Sequence, residues 1–95
     1  MASVYILYSP GENQFYTGSC KDLDFRLRQH FEKSIHGAFT SKTSDWELFH
    51  TIGGLQYQQA RKIENHIKKM KSRKFIRDLK LFPEITKRLL ELYPA

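Results

Sequence analysis

Ser3-Val4-Tyr5-Ile6-Leu7-Tyr8-Ser9-Pro10-Gly11-Glu12-Asn13-Gln14-Phe15-Tyr16-Thr17-Gly18 is the stretch on which the fold turns. Residues 3 to 8 are β-branched and aromatic, as strands are. Pro10, Gly11 and Asn13 supply the backbone angles of a reversal, and Gln14 to Gly18 returns as a second strand. The reading is a β-hairpin with a loop of about five residues, in which Tyr5 and Tyr16 stand near each other on paired strands.

Beyond the hairpin the period becomes helical. Leu23, Leu27 and Phe31 recur every fourth residue and predict an apolar stripe, with Asp22 or Lys21 near the helix start. Asp22, Arg26 and His30 form a neighbouring stripe. An Arg and a His one turn apart beside a buried face can point at one cleft, or be a surface Arg and a helix-terminal His. Ser34 to Ser44, with Gly37 and the cluster Thr40-Ser41-Lys42-Thr43, reads as a loop. Trp46 to Ile52 alternates as a third strand, and Gly53-Gly54 reads as the turn that closes it.

From Gln56 to Met70 the residues Ala60, Ile63, Ile67 and Met70 mark the buried stripe of an amphipathic helix. Glu64 lies at its margin, either as a partner for Lys68 or as a carboxylate aimed into a cleft. Ser72 suits the cap of a short helix with Phe75, Ile76 and Leu79 inward. Pro83 suits the first turn of a last helix carrying Ile85, Leu89 and Leu92.

Ninety-five residues leave room for one domain, and an aromatic content of 14% argues against disorder. The expected class is α+β, a small three-stranded antiparallel sheet flanked by helices. The formal net charge of +6 is unevenly placed. Residues 1–55 carry 5 basic and 6 acidic side chains, and residues 56–95 carry 11 and 4. Nine Lys or Arg fall between Arg61 and Lys80. Such a density draws polyanions, nucleic acid first and anionic lipid second, or it is a solvated face that keeps the chain in solution. Cys20 alone cannot form an internal disulfide, and residues 1–5 lack the features of a signal peptide, so the cytoplasm is the expected compartment. The longest apolar run, Val4 to Tyr8, is far short of the ~20 residues that span a bilayer.

The four His and Cys20 lack zinc-ligand spacing, no Gly-x-Ser-x-Gly elbow occurs, and no phosphate loop follows a strand. What remains is Tyr5 and Tyr16 on the hairpin, Arg26 and His30 on the first helix, and Glu64 on the second. This order resembles the GIY-YIG nucleases, and within them the small stand-alone bacterial branch. Val4-Tyr5-Ile6 and Tyr16-Thr17-Gly18 match the two signature tripeptides, about ten residues apart. Asp22-Leu23-x-x-Arg26-Leu27-x-x-His30, Trp46-Glu47-Leu48, Ala60-x-x-x-Glu64 and Lys68 to Ile76 follow in place. The resemblance covers roughly residues 3 to 80. It divides the chain into a nuclease-like domain, 1–80, and a C-terminal helical extension, 81–95, packed on the same domain.

The resemblance implies a metal-dependent endonuclease that hydrolyses DNA phosphodiesters, branched or nicked DNA included, with DNA repair and recombination among its settings. It implies a single divalent cation, Mg2+ or Mn2+, on Glu64. It also implies a catalytic set of Tyr5, Tyr16, Arg26, His30 and Glu64. Lys68, Lys69, Lys71, Arg73, Lys74 and Arg77 are the expected nucleic-acid contacts. One carboxylate completed by waters and phosphate oxygens is ordinary for Mg2+. A guanidinium offers two parallel donors to phosphate oxygens. A tyrosine with an unperturbed pKa of ~10 needs help to accept a proton. Val4 and Thr17 depart from the signature, and Ser19 stands where some branches carry Lys, which removes one candidate for activating the tyrosine. A non-catalytic nucleic-acid-binding module on the same fold is the alternative. An adaptor whose basic helix meets an acidic protein is a third reading.

Overall fold

A computed structural model describes residues 1–31 and 45–95. The elements run β1 (Ala2–Ser9), β2 (Gln14–Cys20), α1 (Leu23–Phe31), β3 (Glu47–Leu55), α2 (Tyr57–Met70), α3 (Arg73–Leu81) and α4 (Pro83–Leu92). The expected loop at Ser34 to Ser44 lies outside the described residues.

The sheet is antiparallel in the order β2-β1-β3. β1 is central because its side chains are apolar on both faces: Val4, Tyr5, Ile6 and Leu7 are all buried. Val4 and Ile6 join Ala60, Ile63 and Ile67 of α2, Leu79 of α3 and Leu89 of α4 in one core. Tyr5 and Leu7 point the other way, to Cys20, Trp46, Tyr16 and the α1 residues Leu23 and Leu27. The sheet is therefore a middle layer, with α1 on one face and α2 to α4 on the other.

The hairpin turn is fastened from both ends. Asn13 adopts a left-handed φ of 51°, and its Oδ1 accepts the Tyr8 hydroxyl at 2.8 Å. Asp45, just before β3, accepts from the Ser9 hydroxyl at 2.6 Å and the Gly11 N–H at 2.7 Å. Asp22 caps α1, its Oδ1 accepting the Phe25 N–H at 3.0 Å. The Ser72 hydroxyl likewise accepts the Phe75 N–H at 3.1 Å at the start of α3, and Pro83 occupies the first turn of α4.

Four expectations are corrected. Gly53-Gly54 is not a turn but lies inside β3, where Gly54 takes a φ of 70° and the register against β1 shifts between Ala2 and Val4. A strand at the sheet edge absorbs such an irregularity without breaking a second ladder. In α1 the fully buried residue is His30, while Leu23 and Leu27 are half-buried and Phe31 is exposed. Met70 and Leu92 are also exposed, because each stands in the last turn of its helix, past the edge of the core.

Candidate active site

Antiparallel register sets Tyr5 across from Gly18 and Leu7 across from Tyr16, so the two tyrosines are diagonal neighbours on the α1 face. Their ring centroids are 6.2 Å apart. His30, in the last turn of α1, completes a triangle, with its ring 5.6 Å from Tyr5 and 5.3 Å from Tyr16. The Tyr5 hydroxyl and His30 Nε2 share a buried hydrogen bond of 2.8 Å. Trp46 stands 6.5 Å from the Tyr16 ring.

Both partners of the hydrogen bond are held neutral at pH 7. Burial, and next the neighbouring Tyr16, push the Tyr5 hydroxyl well above the ordinary phenol range. Burial, and next the charge of Arg26, push His30 below the usual imidazole value. Arg26 lies one turn before His30 and is half-buried. Its guanidinium opposes the rise at Tyr5 and at Cys20, whose thiol is raised chiefly by burial. It lines a cleft of about 400 Å³ with Cys20, Lys21, Asp22, Phe25 and Tyr57.

Glu64 belongs to the other layer. Residues 15, 17 and 19 of β2 alternate with 16, 18 and 20 and turn toward α2. There the Ser19 hydroxyl donates to Glu64 Oε1. Glu64 Oε2 pairs with Lys68 Nζ at 2.6 Å, and the carboxylate side chain is 14% exposed. The structure thus brings Tyr5, Tyr16, Arg26 and His30 together, while Glu64 meets them only across outer strand β2, at Ser19 beside Gly18. Among the described residues no three His, Cys, Asp or Glu side chains converge. A lone carboxylate fits a hard cation that keeps most of its waters and takes its other oxygens from phosphate.

The basic residues divide as well. Lys68, Lys71 and Arg73 line a groove of about 420 Å³ that runs past Phe15, Tyr16 and Thr17 of β2. Arg73 donates to the backbone O and Oδ1 of Asn13, at 2.7 and 2.5 Å, and lies 5.3 Å over the Phe15 ring. Lys74 instead pairs with Asp78 at 2.7 Å, and Lys69 and Arg77 are exposed away from the groove lining. Sequence reasoning missed Ser19 as a partner of Glu64. Its alternation with Thr17 was the available signal, since it turns Ser19 to the α2 side.

A family model described as the GIY-YIG catalytic domain matches residues 1–77. No curated protein and no solved structure gives a significant match.

Proposed function

Because this chain belongs to the GIY-YIG family, whose domain implies nuclease activity on nucleic acid and whose members generally use divalent metals, we propose that it is an endonuclease hydrolysing DNA phosphodiesters. The observation that carries the reading is the buried Tyr5–His30 hydrogen bond one helical turn from Arg26. A raised Tyr5 is a poor phenolate, so it acts as a neutral relay. With the imidazole proton on Nδ1, the Tyr5 hydroxyl donates to His30 Nε2. As the attacking water forms its bond to phosphorus, its proton passes to the Tyr5 oxygen and the Tyr5 proton to Nε2. The bond from phosphorus to the leaving oxygen breaks with its electron pair on that oxygen, which takes a proton from solvent, and the Arg26 donors meet the charge that grows on the phosphate oxygens. Tyr16 packs beside this pair and fixes the orientation of both rings.

Glu64 is the residue we assign to a single Mg2+ or Mn2+ ion, which would compete with Lys68 for its carboxylate. When bound, the cation supplies Lewis-acid stabilisation of the reacting phosphate. Lys68, Lys71 and Arg73 are the assigned nucleic-acid contacts of the groove, while Lys69, Lys74 and Arg77, outside its lining, would add only to the general positive charge of this segment. Residues 1–80 are taken as the nuclease domain, a bound supported by the family match to 1–77, and 81–95 as a helical extension packed on the same domain, supported by Leu89 reaching into the core. A single cysteine supports a cytoplasmic setting, and nicked and branched DNA of repair or recombination are the substrates to try first.

The competing reading is a binding module without catalysis. It is favoured by the Lys68–Glu64 ion pair, which already neutralises the carboxylate. Incubation with linear, nicked, flapped and branched DNA in Mg2+, Mn2+ or chelator decides between them. Cleavage in metal and none in chelator is the expected result. Binding of every substrate with cleavage of none would overturn the enzyme.

A further inference from the structure

The cleft that holds Arg26 contains a feature the proton relay does not use. Lys21 leaves the end of β2, and its Nζ lies 5.0 Å from the centre of the Tyr57 ring. Arg61, one turn along α2 from Tyr57, places its Cζ 5.9 Å from the same ring. An aromatic face attracts cations and so draws two like charges into one place. Among the described residues neither cation forms an ion pair. The acidic side chain in the cleft wall, Asp22, spends Oδ1 on the Phe25 N–H. The cleft, at about 400 Å³, is lined by Lys21 and Arg26 against the one carboxylate of Asp22, and Arg61 adds a third cation at the Tyr57 ring that forms part of its wall.

Its position relative to Glu64 is set by the helix. Tyr57, Arg61, Glu64 and Lys68 are spaced four, three and four residues apart, so they share the α2 stripe that faces β2. At ~1.5 Å rise per residue, Tyr57 lies about 10 Å along the axis from Glu64 and Arg61 about 4.5 Å. For α2 lying along the duplex axis, whose rise is ~3.4 Å per nucleotide, that separation is roughly one to three nucleotides.

We propose that Lys21 and Arg61, gathered over the Tyr57 ring beside Arg26, form a clamp for a backbone phosphate one to three nucleotides from the phosphodiester at Glu64. The inference rests on the nuclease reading. It assigns Lys21, Tyr57 and Arg61 as positioning residues that hold the strand without touching the reacting atoms.

The test separates binding from chemistry. Affinity for fluorescein-labelled nicked duplex is measured in chelator across a KCl series for wild type, for Lys21→Gln/Arg61→Gln, and for Lys87→Gln/Arg88→Gln, which removes the same charge from α4. Tyr57→Leu serves as a fourth protein. Because Tyr57 packs partly against the core, the Lys21/Arg61 pair is the variant that keeps the fold. The slope of log affinity against log salt should become shallower by about two for Lys21→Gln/Arg61→Gln and by less than half that for the α4 control. In metal, nicking by Lys21→Gln/Arg61→Gln should show a raised KM with little change in kcat. An unchanged slope, or an equal loss in the α4 control, overturns the clamp even where wild type nicks DNA. If wild type binds with the expected slopes but never nicks, the clamp stands as a phosphate site and the nuclease reading falls.

Discussion

The phenolic oxygen of Tyr5 lies 2.5 Å from the point where a β-carbon on Gly18 would stand, and the ring carbon bearing it lies 2.6 Å away. The two residues face each other across β1 and β2. Gly18 is required for space: its bare backbone is the floor on which the Tyr5 ring rests while its hydroxyl reaches His30. Gly18→Ala should therefore push the ring off His30. Overpacking of this kind costs roughly 1–3 kcal/mol, read by urea denaturation, and plasmid nicking should fall with it. A Gly18→Ala protein of wild-type stability and activity would mean that the ring has room to spare.

Glu64 and Lys68 are expected to oppose each other in metal binding. Lys68→Gln removes the cation that occupies Oε2, so Mn2+ should bind more tightly by calorimetry. Glu64→Gln should abolish that binding, along with cleavage, while DNA binding in chelator persists. With Lys68 half exposed, loss of the pair alone should cost the fold no more than ~0.5 kcal/mol. Equal Mn2+ affinity in wild type and Glu64→Gln would take the metal away from this residue.

Arg26→Gln offers a readout that does not need turnover. The guanidinium helps to depress His30, so its removal should move the His30 titration upward, toward ~6.5, as followed by imidazole proton resonances. Cleavage should drop by roughly 10²–10³, the usual loss for a transition-state donor. An unmoved His30 titration would show that Arg26 points elsewhere.

How far these relationships could be read from sequence differs by element. The hairpin and α2 follow from their turn residues and apolar periods, because each packs against the core through residues that carry the period; β3 is legible as a strand but not at its end, since Leu48 is exposed and Leu55, past the two glycines, reaches the core. α1 does not obey the same rule. It covers an aromatic face containing Tyr5 and Tyr16, and a polar ring that hydrogen-bonds there is buried in preference to Phe31. Gly53-Gly54 resembles a turn because glycines usually end strands, yet β3 is an outer strand among the described residues and keeps its pairing with β1 through the irregularity. Glu64 was identifiable as marginal to its helix stripe. Its link to Ser19 depends on which face of β2 meets α2, and that only three-dimensional packing decides.

Acid should weaken the fold by way of two imidazoles. Burial, and next Arg26, depress His30, while burial, and next Lys80, depress His50. The Nε2 of His50 is buried without a hydrogen-bond partner among the described residues. In the unfolded chain both rings take up protons near pH ~6.5, and in the fold only at lower pH. Between those values the unfolded state binds more protons, so stability should fall as pH drops through about 6.5 and level off below the folded pKa values. Urea midpoints of wild type, His30→Gln and His50→Gln from pH 8 to pH 4.5 check this. Each variant should flatten part of the slope, and two slopes identical to wild type would exclude both rings as its source.

Lys71 and Lys74 are three residues apart in a run of basic side chains, but the fold gives them different work. Lys71 closes α2 in a left-handed conformation, with φ 47°, and lines the groove beside Tyr16. Lys74 lies outside that lining and is already paired with Asp78. A lysine that reaches a phosphate releases about one counterion, so Lys71→Gln should reduce the salt slope of DNA binding by about 1 and weaken binding to all sequences alike. Lys74→Gln should change the slope much less, since a partly neutralised lysine off the path displaces few ions. Only the distribution of charge over the groove distinguishes the two variants, because each removes a single positive charge from the same segment. Equal slopes for both would mean that DNA responds to the net charge of residues 61–80, and the groove along β2 would lose its claim to be the binding path.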